Sequence, residues 1–596
     1  MGEIVGIDFG TTKTIAAVVK DGSAVVIPDR RGRNSIPSVV LLTPETEQSV
    51  FAGWEAKEHS HRYHLDHVSI SSIKRSLGKG EKGHWGWLQQ YPEAIAGLIL
   101  ARLKLELEHQ LNQKVDKAVI AIPANYSINQ RWAIREAAQL AGLQVLRLIN
   151  EATAAAFYYN FSHKHDRTLL IFDLGGGTLD VSVVEVGESV CEVKATAGDP
   201  RLGGDDFDQV LMDFVMRATA DAGSVDSLEL FRQLVLRESI TKAKIELSSA
   251  PDTRLYLPAF IKHGPDSSQD LDITIGREEF IELSQDLLKR AEGVIEQVMK
   301  DCGKSIKLDA ALIIGGGSRM PAVRELVRKV TGLEPYIGLD PETCVAQGAA
   351  IQASILGGGI TDALLLDVIP LSLSVETVGG VATRLIARHT TIPTRKAETF
   401  TTASDYQTQI KVNVFEGERP MAADNHFLGS VLLMGIPLAP RGQTNIEVCF
   451  DIDGNGLLTV SAKDLGTGRE VKSTIESPSR LGPEDLAKTK NFMEQMIRKI
   501  AIHLTWKEEK KLLEESQRAV ASWKLSIEEA IRVHEEDLTD DQLLLLQSGL
   551  QLLLDYSERG TAHQELERIY EGLKKQIDLF AEPPPREAGS LGPQES

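Results

Sequence analysis

The sequence predicts a two-lobed α/β domain, then an antiparallel β-sheet domain, then a helical segment. Three observations predict it. Short apolar runs that stop at Gly or Pro alternate with helical patterns up to about residue 358. Period-two alternation replaces that texture after Leu371. From Pro483 onward apolar residues recur at helical spacing.

The α/β part rests on four runs, "EIVGID", "KAVIAIP", "LLIFDLGGG" and "DAALIIGGG", which read as buried strands. Helix-like stretches such as Gln130 to Leu140 and Phe280 to Met299 separate them. The first and third runs echo each other. "GIDFGTT" and "FDLGGGT" both give a strand, an Asp, a Gly and a Thr-bearing turn, followed by more β-like sequence. A unit that recurs in both halves suggests duplication into two lobes.

Residues 359–369 read as a linker, with glycines before the apolar Leu364-Leu365-Leu366. Linkers are commonly polar, so three leucines predict a linker that docks in at least one state. Residues 370–478 alternate. Ile410, Val412 and Val414 form one series, and Ile446, Val448, Phe450 and Ile452 another, turning at Asp453 to Gly456. One-sided alternation predicts a sandwich or half-barrel. Residues 479–581 read as helical: Met493, Met496, Ile497, Ile500 and Leu504 share one face, and Leu566, Ile569, Tyr570, Leu573 and Ile577 another. The Pro/Gly-rich tail 582–596 reads as disordered.

The chain has 596 residues, 65 Lys+Arg against 85 Asp+Glu, and a formal charge of −20. That balance argues against a nucleic-acid partner, which needs a net basic face. Cys191, Cys302, Cys344 and Cys449 form no C-x-x-C pair, which fits free thiols in a reducing compartment. No leader precedes Ile4 and no apolar stretch reaches bilayer-spanning length, so a cytoplasmic protein without membrane contact is expected.

Several motif readings fail on spacing. Asp8-Phe9-Gly10 resembles the magnesium-holding triplet of protein kinases, but too few residues precede it for a Gly-rich loop and a strand lysine. "GKGEKGH" places His84 where a P-loop needs lysine. "DIDGNG" puts Ala462 at the twelfth calcium-loop position, where a bidentate Glu is required. His59, His61, His64 and His67 lack a supporting Cys or acid array and read as surface histidines. The paired Asp-Gly-Thr turns remain. Glycine-turn N–H groups can approach phosphate oxygens closely, and Asp8, Asp173 and Asp180 are the carboxylates to hold a hydrated magnesium between facing turns. The alternative is a pair of ordinary hairpin turns.

At this point the chain resembles the seventy-kilodalton heat-shock chaperones of the DnaK type. The likeness rests on "GIDFGTT", "IKRSLG", "AVIAIPA", "INEATAAA", "FDLGGGTLDVSVVE", "RLGGDDFD", "KAKIELSSA", "IIGGGSRMP", "VAQGAAIQA" and "LLLDVIPLSLSVETVGG", in that order from Ile4 to about Glu476. The resemblance implies an actin-like ATPase domain over 1–358, a β-sandwich that holds peptide over 370–478, and an α-helical lid over 479–581. It implies ATP/ADP and Mg2+ as cofactors, with K+ as a further ion. Gly10, Thr11, Thr12 and Gly175, Gly176, Gly177 and Thr178 would grip phosphates. Lys74, Glu151, Asp173 and Thr178 would be catalytic, with Asp8, Asp173 and Asp180 on the metal largely through water. Lys244, Ser248, Gly315, Gly316, Gly317, Ser318 and Arg319 would hold adenosine.

The resemblance extends to allostery and partners. Pro123, Arg131, Arg147, Leu364, Leu365, Leu366 and Asp367 would relay the nucleotide state. Val375, Val378, Phe400, Ala403, Ile410 and Val412 would line the peptide groove, with core packing as the alternative for each. Implied partners are hydrophobic client segments, a J-domain co-chaperone and a GrpE-like exchange factor. Departures from the family pattern include Ala152, Lys13, Thr241, Asn125 and a shortened stretch between Lys74 and Pro92. They keep two alternatives open: a chaperone for one dedicated client, as in iron–sulfur cluster assembly, and a low-activity nucleotide exchange or sensor partner.

Overall fold

Two duplicated sheets carry the first part of the chain in the computed structural model. The structure describes residues 3–43, 50–60, 68–86, 88–163, 166–187, 190–219, 230–262, 268–303, 306–359, 364–474, 482–503, 520–529, 531–532, 550–551, 553–554, 570–571 and 574. His61, His64, His67, Leu504, Leu566, Ile569, Leu573, Ile577 and the tail 582–596 lie outside the described residues. The chain divides into two compact units, Met1–Lys499 and Ile500–Ser596.

In the first sheet the strands run Gln144–Asn150, Lys117–Ile122, Ile4–Phe9, Lys13–Lys20, Ser23–Val26, with Ile36–Pro37 against Lys13–Lys20. In the second the order is Pro335–Tyr336, Ala310–Ile314, Arg167–Leu174, Leu179–Val186, Val190–Asp199, Leu364–Val368, Thr391–Ile392. Both follow one plan. Ile4–Phe9 pairs parallel with Lys117–Ile122 and antiparallel with Lys13–Lys20. Arg167–Leu174 pairs parallel with Ala310–Ile314 and antiparallel with Leu179–Val186. The sequence echo is therefore a structural repeat, and each Asp-Gly turn closes the hairpin of its own sheet.

The small-residue helix Cys344–Leu356 crosses the first sheet against helix Glu151–His163. Two glycines permit the approach. A Cβ on Gly6 would fall on the backbone of Ala349 and Ala350, and one on Gly348 on the carbonyl of Ala154. Side chains cannot relieve a collision with backbone, so these positions exclude even alanine.

The linker segment Leu364–Val368 is a strand. It pairs parallel with Val190–Asp199 through Leu364, Leu365 and Leu366, and antiparallel with Thr391–Ile392 through Asp367 and Val368. Beyond it lie two four-stranded antiparallel sheets. One holds Val381–Ile386, Leu373–Thr377, Gln409–Glu416 and His426–Met434; the other holds Thr394–Thr401, Asn445–Ile452, Leu458–Asp464 and Glu470–Thr474. Their alternating apolar residues meet in one core that includes Leu373, Val414, Leu433, Val448, Phe450 and Val460. Ile128 and Trp132, from helix Ile128–Leu140 of the first lobe, pack on the same core. The "DIDGNG" segment is a hairpin turn: Asp453 Oδ1 accepts from the N–H of Asn455 and of Leu457 at 2.9 Å each.

The shortened stretch between Lys74 and Pro92 folds as a tight turn, Ile73–Ser76, and a hairpin, Gly83–Trp85 with Leu88–Gln90. Within the first unit, the start of helix Pro483–His503 packs there. Asp485 takes Lys82 and the Tyr91 hydroxyl, both at 3.1 Å, and Thr489 donates to Gln90 at 3.2 Å. In the second unit Val520, Ile527, Leu550 and Leu553 are buried, and the rings of Trp523 and Tyr570 stack at 4.9 Å. Among the described residues no helix is long and apolar enough to cross a membrane.

Gly6→Ala is expected to destabilise the first unit by about 3 kcal/mol or more, because the sheet and the crossing helix must part. A thermal melt monitored by circular dichroism checks this. Gly276 is the tolerant control, since a methyl there would meet no atom within 4 Å.

Candidate functional site

Three glycine turns converge where the two sheets meet. A Cβ on Gly176 would strike Thr12, and one on Gly177 would come 2.7 Å from Thr11 Cγ2 and 2.8 Å from its hydroxyl. The Gly10–Thr12 and Gly175–Thr178 turns thus face each other at van der Waals distance. Gly203 adds a third backbone, 2.6 Å from Gly176 and Gly177 by the same measure. Gly315, at φ +78°, closes in from the next strand, its Cβ position 2.6 Å from Asp173 Oδ1. Glycine N–H groups beside threonine hydroxyls are donors that phosphate oxygens can approach closely.

Behind the cradle lie Asp8, Lys74, Glu151, Asp173 and Asp180. Lys74 donates to Glu151 Oε1 at 3.0 Å, and both are buried. The Lys74 ammonium also lies 5.8 Å from the Phe9 ring and 5.6 Å from the Tyr126 ring. Burial alone would lower its pKa; Glu151, Tyr126 and Asp8 outweigh it and hold the ammonium above its ordinary value. The carboxyls move the other way. Burial, then Glu151, push Asp8 up to about 7 against the pull of Lys74. Burial and Glu151 push Asp180 up to about 7 as well. Asp173 is raised by burial, Glu151, Asp180 and Asp8.

Four carboxyls share one lysine, and Asp180 Oδ2 is buried without a hydrogen-bond partner. That donor set suits a hard divalent cation, which restores the charge balance. Among the described residues no three carboxylate, histidine or cysteine side chains come close enough to ligate an ion directly.

On the second lobe Lys244 donates to the Gly204 carbonyl at 2.7 Å and pairs with Asp208 at 2.8 Å; the Thr241 hydroxyl donates to the same carboxylate at 2.9 Å. Lys244 and Ser248 line an apolar pocket with Leu247, Phe280 and Met320. Met320 is one residue past the Gly315–Arg319 turn, and the turn itself does not line this pocket. Gly316 lies open, the Ser318 hydroxyl is turned back onto the Gly315 carbonyl, and Arg319 faces Asp340 and Glu342. Lys13 also pairs with Glu342, at 2.7 Å.

The residues expected to relay a signal are brought together at the linker. Asp367 is buried, and its Oδ1 accepts from Asn150 Nδ2 at 3.0 Å and from Thr153 at 2.7 Å. Arg131 donates to Asn150 Oδ1 at 3.2 Å and to the Asn455 carbonyl of the second sheet pair at 3.4 Å. Arg147 donates to the Leu365 carbonyl at 3.1 Å. Burial lowers the pKa of both arginines, and Asp367 opposes it. Pro123 is buried just before the Arg131 helix, and its carbonyl accepts from the Tyr126 N–H at 3.2 Å. Of the leucines, Leu365 is buried, Leu366 is half-buried and Leu364 is exposed.

The six groove candidates divide. Val375 and Val412 are buried in the core between the two sheets, and Phe400 and Ile410 pack half-buried against it. Val378 is 72% exposed and Ala403 is exposed. His59, the described member of the histidine cluster, stacks on Phe51 at 4.2 Å and bonds the Glu55 carbonyl, which is a structural role. All four cysteines are free.

Several residues escaped the sequence reading. Arg75 donates to the Gly177 carbonyl at 2.8 Å and pairs with Asp206, while Ser72 donates to Asp205 at 2.6 Å, so the two lobes are bridged across the cleft. Glu416 and His426 are cross-strand partners that face the start of helix Ile128–Leu140. His389 Nε2 lies 3.0 Å from the Thr196 carbonyl, and Arg388 pairs with Asp301 at 2.6 Å. The type of residue carries no signal at these positions; only the packing partner does.

Duplicated sheets with facing glycine turns, joined by a paired strand to two further antiparallel sheets, define the class of fold. The family model for Hsp70 protein matches residues 4–84 and 82–582, and the chain belongs to the Hsp70 family. Hsp70 proteins are ATP-dependent chaperones that bind ATP or ADP with Mg2+, client peptides and J-domain co-chaperones, and the duplicated α/β lobes fit their actin-like ATPase domain.

The docked interface is expected to respond to pH. Burial pushes Glu416 up to about 7 from an ordinary 4.5, opposed by Arg131 and an N–H of Ile128. The docked state therefore takes up a proton, and docking weakens as pH rises from about 4.5 through about 7. His426 Nε2 lies 2.9 Å from Asn129 Nδ2, and burial lowers its pKa, so docking also weakens as pH falls from the ordinary 6.5 toward that lowered value. Fluorescence of Trp132, taken as the difference between wild type and Trp132→Phe, should report the sum of these two dependences, which oppose each other where they overlap below about 6.5. Glu416→Gln should remove the weakening between about 4.5 and about 7, a change of about a hundredfold or more in the docking equilibrium at alkaline pH, and His426→Gln the weakening on the acid side.

Proposed function

We propose that this chain is an ATP-driven, DnaK-type chaperone in which hydrolysis in residues 1–358 controls the affinity of the sheet domain, 370–478, for hydrophobic segments of unfolded proteins. The single observation that carries this reading is one peptide bond. Asn150 bonds Asp367 of the linker strand, and the next residue, Glu151, bonds Lys74 in the acidic cluster. The end of strand Gln144–Asn150 and the start of helix Glu151–His163 therefore hold the linker and the lysine with neighbouring residues.

The roles follow from this geometry. Backbone N–H groups of Gly10 to Thr12 and Gly175 to Thr178, with the Thr11, Thr12 and Thr178 hydroxyls, would orient the phosphates. Lys74 would neutralise charge at the terminal phosphate, held there by Glu151. Asp8, Asp173 and Asp180 would hold magnesium through its water shell, with Asp180 Oδ2 free to accept. Bound nucleotide supplies the bond that is broken, and magnesium the charge that stabilises its transition state. Lys244 and Ser248 would border the adenosine, with Gly315 to Arg319 at the opposite side. Positioning and charge, not covalent chemistry, supply the acceleration.

In the docked state the two sheets form a sandwich whose core reaches onto Ile128 and Trp132, while the start of helix Pro483–His503 rests on the first lobe. Release of the linker strand would free the sandwich, and the helical segment would then close as a lid. Val378 and Ala403 are the groove candidates available at the surface here; Val375 and Val412 would contribute from beneath. A J-domain co-chaperone would act at Arg147 and Asp367. A GrpE-like factor and cytoplasmic residence complete the reading.

Stopped-flow release of a fluorescent hydrophobic peptide tests it. ATP is expected to speed release in wild type. Lys74→Ala should still bind ATP while its single-turnover hydrolysis falls by about a hundredfold or more, the loss of a positioned charge. Binding of ATP with neither hydrolysis nor faster release would favour the sensor reading instead.

A further inference from the structure

One polar group beside Lys74 has no part in the cradle described above. Tyr126 follows the Pro123–Asn125 turn, is 3% exposed, and its hydroxyl is buried with no hydrogen-bond partner among the described residues. Its ring lies 5.6 Å from the Lys74 ammonium, and Lys74, Glu151 and Asp180 are its charged neighbours. A buried donor left unpaired is costly, and a phenylalanine at this position would avoid the penalty while keeping the ring.

We propose that the Tyr126 hydroxyl is a further positioning group of the hydrolytic site, donating to a terminal-phosphate oxygen beside Lys74. The inference rests on the ATPase reading above. No proton leaves the residue: burial, with Glu151 and Asp180 also disfavouring the phenolate and only Lys74 opposing, keeps the phenol well above its ordinary pKa and therefore a donor. The same residue reaches the interdomain side. Its carbonyl accepts from Arg131 Nε at 3.3 Å, and Arg131 extends to the Asn455 carbonyl. A hydroxyl that closes on phosphate would thus be fixed to the turn that seats Arg131.

The test is Tyr126→Phe, which removes one oxygen and keeps the ring against Lys74. Without nucleotide, its melting temperature should equal or exceed that of wild type, since an unpartnered hydroxyl has been removed. Affinity for AMP, which lacks the β- and γ-phosphates, should be unchanged. Single-turnover hydrolysis of ATP should fall by about tenfold to a hundredfold, the range for a buried hydrogen bond to a charged group. Wild-type hydrolysis in the variant would overturn the proposal, as would a lowered melting temperature with AMP affinity and turnover falling together, which would mark a structural role. Lys74→Ala, run alongside, separates the two readings. If wild type and Lys74→Ala turn over alike, the ATPase reading fails; if Lys74→Ala is inactive and Tyr126→Phe is not impaired, only the Tyr126 inference fails.

Discussion

The fold turns on the pairing of the linker strand with the second sheet. Leu364–Val368 is a short segment, and its energetics are closely balanced. Fixing its five residues costs about 5–10 kcal/mol. Burial of Leu365 and Val368 offsets about 2 kcal/mol each, and the two hydrogen bonds to the Asp367 carboxylate about 2 kcal/mol each. The sum lies near zero. A strand with so little net preference responds to small changes in its partners, and its partners are Asn150, Thr153, Arg147 and strand Val190–Asp199. Because Asn150 precedes Glu151, any shift that Lys74 demands of Glu151 reaches Asp367 through one peptide unit.

The remaining architecture serves to bring backbones close enough for this to work. Gly6 and Gly348 let the crossing helix Cys344–Leu356 lie between the first sheet and the helix that begins at Glu151. Gly176, Gly177, Gly203 and Gly315 let four chain segments approach one another closely. The acidic cluster behind them is held in tension: four carboxyls repel one another in a buried site, and one lysine balances only part of that charge. A site of this kind favours a cation that arrives together with its anion, which is the chemistry of magnesium and phosphate.

Much of this was legible in the sequence. Glycines with a Thr-bearing turn after an apolar run carry their geometry in their own residue types, so both hairpin turns, the duplication and the alternating strands could be read directly. The leucine-rich linker was legible as a docking segment because apolar residues in a linker lack another explanation. Groups whose role depends on a partner distant in sequence were not. Glu416 and His426 look like ordinary strand residues until helix Ile128–Leu140 covers them. Arg75 stands beside Lys74 without a spacing that sets it apart. Tyr126 reads as one more aromatic until its ring proves to lie beside Lys74 with the hydroxyl buried and unpartnered among the described residues. The groove residues show the reverse limit: alternation places Val375 and Val412 on an inward face but does not say whether that face meets a peptide or the opposing sheet.

The central claim is that the state of the phosphate cradle decides whether the linker strand is paired. Amide hydrogen exchange of Leu364–Val368, followed by mass spectrometry with ATP bound to the Lys74→Ala protein and with ADP bound to wild type, tests it most directly. These amides are expected to be protected with ATP and to exchange about tenfold faster or more with ADP. Equal protection in both states would contradict it, since the strand would then be a fixed part of the second sheet and not a switch.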